Sequence, residues 1–167
     1  SFRINPANNT KNSSGGAINT GNVFGINRLG ISDGYENGKS LTFGLDYRIE
    51  KLNKNAESIG DKYLEFKLAT VARAKSEEFI SPLSTINRKT SNIFGSINNR
   101  LFKHIEVDYN FSLDNNLRSL DSNHITTKLS INNFVTTYDF RESSGVLGES
   151  NTLSNTTKYS FENNGSL

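Results

Sequence analysis

His104 and His124 are the only histidines in the chain, so any imidazole chemistry starts with them. Alternation places each on a polar strand face, with Glu106 two residues beyond His104 on the same face. A metal centre needs three or four assembled ligands, which this pattern does not supply, so both histidines read as solvated. Glu106 and Asp108 have the separation that glycoside hydrolysis asks of two carboxylates, about 5 to 9 Å. Neighbours on any strand face meet that spacing, so it selects nothing. Serines and aspartates abound, but no Gly-x-Ser-x-Gly elbow is present to expose a nucleophile. With no cysteine there is no thiolate nucleophile, thiolate metal site or disulfide. The expectation is a non-enzyme without catalytic residues, cofactor or metal.

Two further groups of residues invite a ligand. Gly34-x-x-x-Gly38-Lys39-Ser40 resembles a phosphate-cradling loop, but it is one residue short and a strand follows where the loop needs a helix. Asn37-Gly38 reads instead as a turn feeding that strand. Arg28 and Asp33 flank the start of a loop, where they either anchor it by an ion pair or bind a lipid-headgroup phosphate. The loop-shaping role is preferred, because exposed pairs are common and weak.

The elements that position these residues are strands. In residues 103 to 114, Ile105, Val107, Tyr109, Phe111 and Leu113 fall on one face, against His104, Glu106, Asp108, Asn110 and Ser112 on the other. Residues 41 to 49 repeat the pattern, with Leu41, Phe43, Leu45, Tyr47 and Ile49 against Thr42, Gly44, Asp46 and Arg48. Weaker alternation marks 63 to 71, 91 to 98, 124 to 131, 134 to 141 and 152 to 161, and residues 22 to 27 allow a short eighth strand. Asn98-Asn99-Arg100 and Asn132-Asn133 form short links. Residues 28 to 40, 73 to 90, 114 to 123 and 143 to 150 form long ones, and 50 to 62 is a long link where a short one is due.

Composition narrows the class. Apolar residues make up 34% of the 167, below the roughly 45 to 50% of a globular domain. Yet 11 Phe, 6 Tyr and a net charge of +2 do not describe a disordered chain. The charge is near neutral and has no basic run, so nucleic acid is not an expected partner. No signal peptide opens the sequence, and no apolar run is long enough for a membrane helix. Both ends look cut, so a fragment of a longer protein is expected. Strands near ten residues suit a tilted bilayer crossing, and short turns opposite long loops are the asymmetry of outer-membrane barrels. Tyr47, Tyr63, Phe102, Phe140, Tyr159 and Phe161 gather toward strand ends, as an aromatic girdle does. A soluble β-sandwich or adhesin module, which also alternates, and a passive porin-like channel are the alternatives.

A resemblance sharpens the reading. Asn22-Val23-Phe24-Gly25-Ile26-Asn27-Arg28-Leu29-Gly30-Ile31-Ser32-Asp33, followed by Asn37-Gly38-Lys39-Ser40-Leu41-Thr42-Phe43-Gly44-Leu45, resembles the barrel domain of the lipopolysaccharide-assembly family LptD. That family has an apolar strand ending in Asn-Arg, an Asp a few residues on, a Gly-rich turn and a Tyr/Phe-Gly-Leu strand. Asn27, Arg28, Leu29, Asp33, Gly38, Phe43 and Gly44 fall on those positions. Thr90-Ser91-Asn92-Ile93-Phe94-Gly95 and Asp108-Tyr109-Asn110-Phe111-Ser112-Leu113-Asp114 are similar to later strands. Here the glycine before the Asp sits one place early, at Gly30, and Gly34 replaces a basic residue.

The resemblance implies that residues 1 to 167 are part of a C-terminal outer-membrane β-barrel domain. The expected fold is all-β: about seven or eight antiparallel transmembrane strands of a larger barrel. It implies lipopolysaccharide transport at the cell outer membrane, with lipopolysaccharide, an LptE-like plug lipoprotein, an LptA-like periplasmic bridge and outer-membrane lipid as partners. Leu41, Phe43, Leu45, Tyr47, Ile105, Val107, Tyr109 and Phe111 would face lipid; Asp46, Arg48, Glu106, Asp108 and Asn110 would line the lumen. Arginine at Phe43 or Val107 should then be costly, and arginine at Thr42 or Asn110 tolerated.

Overall fold

The computed structural model describes residues 1–5, 16–30, 36, 38–53, 58–145 and 148–161. Eight strands run in chain order: β1 (Phe2–Asn5), β2 (Gly38–Leu52), β3 (Ser58–Arg73), β4 (Ile93–Asn99), β5 (Ile105–Leu113), β6 (Leu120–Ile131), β7 (Phe134–Ser143) and β8 (Ser150–Tyr159). Each pairs antiparallel with the next in a single meander sheet, and β1 and β8 stand at opposite edges, so the sheet is open. The all-β, antiparallel expectation holds.

Three local expectations change. The eighth strand is Phe2–Asn5, whose Arg3 pairs with Ser40 and Ile4 with Lys39. Residues 22 to 27 form turns instead, because Asn19 turns the chain back on itself: its carbonyl accepts from the Val23 amide at 3.0 Å and its side chain from the Gly21 amide at 2.8 Å. The long link expected at 50 to 62 shrinks to 53–57, since β2 and β3 pair out to Leu52 and Ser58 across a bulge after Glu50. With that change, links of 53–57, 100–104 and 132–133 all lie at one end of the sheet, and the longer 74–92, 114–119 and 144–149 at the other.

Register carries the alternation across strands. One row of direct partners runs Tyr47, Phe66, Ile97, Tyr109, Ile125, Phe140 and Leu153 from β2 to β8. On the opposite face the adjacent row is Asp46, Lys67, Ser96, Asn110, His124, Arg141 and Thr152. Gly95 sits on the apolar face opposite Phe111, whose ring lies where a Cβ would be, so the aromatic covers the missing side chain.

The buried core is not on the apolar face. Ile18, Val23, Leu29, Ile80 and Ile86, all outside the strands, pack with Ala69, Val71 and Phe94 from the polar face of β3 and β4. Residues 16–30 and 74–92 thus form a cap over the polar face at the long-loop end. On the other side of the sheet, Leu41, Phe43, Leu45, Tyr47 and Ile49 are 38–59% exposed.

Candidate functional site

The cap is tied to the sheet by a buried ion cluster. Arg28, in the last turn of the first cap segment, has a fully buried side chain. Its Nε donates to Glu36 Oε2 at 2.6 Å, and Nη2 donates to Glu36 Oε1 and to Ser40 Oγ at 3.1 Å. Nη1 donates to Thr42 Oγ1 at 2.8 Å and to the Val23 carbonyl at 3.2 Å. A single guanidinium fork therefore holds a loop carboxylate, the cap backbone and two β2 hydroxyls, a planar multidentate geometry that lysine cannot reproduce. Arg73, at the end of β3, donates to Glu36 from Nη2 and to the Ile86 carbonyl from Nε, joining the second cap segment to the same carboxylate. Arg3 on β1 brings a third guanidinium, its Nη1 3.7 Å from Glu36 Oε2, and its other contacts reach the Phe24, Gly25 and Ile26 carbonyls of the cap.

Glycines make room for this arrangement. Gly38 has φ +85°, a left-handed conformation that disfavours other residues, and a Cβ there would strike the Glu77 carboxylate. At Gly44 a Cβ would meet the Phe24 ring at 2.5 Å and the Leu68 carbonyl at 3.2 Å, so the cap rests on bare β2 backbone.

Farther along, Ser91 and Asn92 are fully buried. Ser91 Oγ accepts from the Val71 amide at 2.9 Å and donates to the Asn92 carbonyl at 2.7 Å. Asn92 Nδ2 donates to Ser112 Oγ at 2.9 Å and Asp121 Oδ2 at 2.6 Å, so the second cap segment reaches from β3 to β6. Thr20 Oγ1 donates to Ser96 Oγ at 2.9 Å on β4.

Toward the short-turn end no described cap residue covers the polar face, which carries a band of paired charges. Lys67 lies 3.5 Å from Asp46 and 3.2 Å from Glu65, while Arg48 pairs with Glu50 at 2.6 Å. Arg100, in the β4–β5 link, grips both Asp108 oxygens at 2.7 and 2.6 Å and lies 3.5 Å from Glu106, which also faces Lys128 at 3.5 Å. Burial works to lower the Arg100 pKa, but the Asp108 hydrogen bonds and carboxylate charge outweigh it and the pKa is raised. On β6 and β7, Asp139 accepts from Thr126 and Arg141 and lies 2.7 Å from His124 Nε2. The band presents charges of both signs, paired with one another across neighbouring strands.

The expected site residues divide as follows. Asp46, Arg48, Glu106, Asp108 and Asn110 share the polar face, and Leu41, Phe43, Leu45, Tyr47, Ile105, Val107, Tyr109 and Phe111 share the other. Arg28, Gly38 and Gly44 gather at the cap, Asn27 is exposed beside Arg28, and Asp33 lies outside the described residues. Arg28's described carboxylate partner is Glu36, which sequence reasoning missed, as it missed Arg3 and Arg73.

Three placements are corrected. Tyr63 is on the polar face opposite Glu50, its ring 3.9 Å beneath the Arg48 guanidinium, and so leaves the supposed girdle. Thr42 is 3% exposed under Arg28, so arginine there is expected to disrupt the cap instead of being accommodated. His104 precedes β5 in a link, its Nδ1 2.8 Å from the Ser130 carbonyl. Among the described residues no group of three or more His, Cys, Asp or Glu side chains is placed to hold a metal.

No family model matches the chain, and no curated protein or solved structure does either.

Proposed function

We propose that the chain is part of an outer-membrane β-barrel of the lipopolysaccharide-assembly type, which inserts lipopolysaccharide into the outer leaflet together with a plug lipoprotein and a periplasmic bridge. The observation that carries the membrane part is the inversion of burial. The cap and its core cover the long-loop end of the polar face, while on the apolar face Leu41, Phe43, Leu45, Tyr47, Ile125 and Leu153 are exposed. Roughly a dozen half-exposed apolar side chains, each forfeiting about 1 kcal/mol in water, leave about 12 kcal/mol unused, the scale of a whole domain's stability. A sandwich would place a second sheet there; a bilayer supplies the same burial without one. No helix of the described residues is long and apolar enough to cross a membrane, which says nothing of a crossing by strands.

Lipopolysaccharide as the cargo rests on the motif resemblance. It is supported by the role of the motif residues in the cap: Arg28, Gly38, Gly44, Ser91 and Asn92 all hold it. The mixed-sign band at Asp46, Lys67, Arg100, Asp108 and Lys128 suits weak, releasable contact with a charged glycolipid or a plug protein.

The test places a photoreactive residue at Asn110, or at Val107 on the opposite face, in the full-length protein in its outer membrane. Lipopolysaccharide adducts from Asn110 and phospholipid adducts from Val107 are expected. Solute flux without any adduct at Asn110 would replace the assembly reading with a passive channel. Labelling that does not differ between faces would end the barrel reading.

A further inference from the structure

Three buried side-chain oxygens among the described residues, Glu77 Oε1, Asn87 Oδ1 and Asn92 Oδ1, have no hydrogen-bond partner, and all three belong to the second cap segment. Asn92, which is fully buried, also lines a cavity of about 20 Å³ where both cap segments meet β4, β5 and β6. The polar wall of this cavity is Thr85, Asn92, Ser112, Asp121 and Ser122, and apolar side chains of the cap and β4 close the rest. Cavities lined only by apolar groups stay dry, whereas a polar one of about 10 to 15 Å³ already has room for one water.

The neighbours of the Asn92 side chain fix its orientation. Nδ2 donates to Ser112 Oγ at 2.9 Å and to Asp121 Oδ2 at 2.6 Å. A carboxylate only accepts, so turning the amide over would set oxygen against oxygen. Both Nδ2 protons are thereby used, and Oδ1, on the same planar group, is the acceptor left over. Donors are left over beside it. Ser112 Oγ accepts from Nδ2 and Thr85 Oγ1 accepts from the Asn92 backbone amide at 3.3 Å, and neither hydroxyl proton has an acceptor among the described residues.

We propose that this cavity is the binding site of a single buried water, which donates to Asn92 Oδ1 and Asp121 and accepts from the Ser112 or Thr85 hydroxyl. Water offers both donors and acceptors, and the wall holds unpaired groups of both kinds. A metal cation would satisfy Oδ1 and the carboxylate, but it would also face the Nδ2 protons, which sit between Ser112 and Asp121. The water is then a working part of the cap. It joins Thr85 and Asn92 of the second cap segment to Ser112 on β5 and Asp121 on β6, and it pairs an amide oxygen that is costly to leave unpaired. Its exchange with bulk water reads out how often that corner of the cap opens. The site depends only on the cap and the sheet beneath it, and so is independent of what covers the apolar face or what the protein transports.

The experiment is a crystal structure of the full-length wild-type protein, grown from detergent, at a resolution that shows ordered water. The expected result is one isolated peak about 2.7 to 3.2 Å from Asn92 Oδ1, with Asp121 and the Ser112 or Thr85 hydroxyl at similar distances. A cavity without a peak overturns the proposal, as does a protein group closing on Oδ1 in its place. A peak held by oxygens alone at about 2.3 to 2.6 Å would mark a cation and overturn it too. A solution measurement on the same protein in micelles checks the site outside the crystal. Nuclear Overhauser transfer from water to the Asn92 side-chain amide should carry the sign of a long-lived bound water, unlike transfer to the exposed Asn116 amide. Identical behaviour of the two amides would mean that no water is held, and the proposal would fall. Both measurements use wild type, so neither depends on a variant that must fold.

Discussion

At the scale of the residue, Arg28 and Gly44 decide whether the cap holds. Arg28→Ala leaves the largely buried Glu36 facing fewer cations and strips Thr42 and Val23 of a donor. The expected cost is about 3 to 5 kcal/mol of unfolding free energy, read from denaturant midpoints in detergent. Arg28→Lys should recover little, since an ammonium cannot span Glu36, Ser40 and Thr42 at once. Near wild-type stability for the lysine variant would remove the argument from fork geometry. Gly44→Ala pushes a methyl into the Phe24 ring and should cost about 1 to 3 kcal/mol. Combining it with Phe24→Ala should cost less than the two changes summed, because the second removes the clash the first creates; strict additivity would mean that the ring does not press on β2. Sequence reading found Arg28 and Gly44 by their motif positions but not what they touch. Arg28 meets Ser40 and Thr42 at separations of 12 and 14 residues, and Glu36 meets Arg73 across 37, distances at which no local pattern speaks.

At the scale of the element, strand faces were legible because a period of two survives any pairing partner, and the seven-strand rows follow from it once register is set. Strand ends were less so. Glu50, Lys51 and Leu52 in β2 and Ser58 to Lys62 in β3 extend their strands by pairing without alternation, and four-residue β1 is too short to show a period. The cap was illegible for a related reason. Its turns are built from Asn19 side-chain hydrogen bonds and buried apolar residues without period, so Val23 to Ile26 imitated a strand. The faces support a directional prediction. Phe43→Arg or Val107→Arg should destabilise the protein in lipid by about 2 to 4 kcal/mol near the bilayer midplane, and Asn110→Arg by much less. Thr42 is no control for this scan, since arginine there collides with the Arg28 network whatever surrounds the sheet. Phe43 is 54% exposed, so in a water-soluble sheet its replacement by arginine would be close to neutral. The size of that one effect in lipid therefore separates the two environments.

At the scale of the whole molecule, the sheet has two unequal problems in water, and they have different remedies. One is the apolar face, which detergent can cover. The other is the pair of edges: on its outer side β2 is paired only from Gly38 to Thr42, by β1 and Ser1, so Phe43 to Leu52 meet no further strand there among the described residues, and no described strand pairs with the far side of β8. An open edge of that length is a template for another chain, and detergent does not remove it. Residues 1–167 alone in buffer should therefore sediment as aggregates of high β content by circular dichroism. Adding detergent should dissolve them into small edge-paired oligomers, and only flanking sequence able to pair with β2 and β8 should yield a monomer. A cooperatively melting monomer in plain buffer would mean that the apolar face tolerates water, and the membrane reading would fall with it. A monomer in detergent without added sequence would instead mean that β1 and β8 find each other, turning the open meander into a closed eight-stranded barrel, the smallest that bacterial outer membranes use.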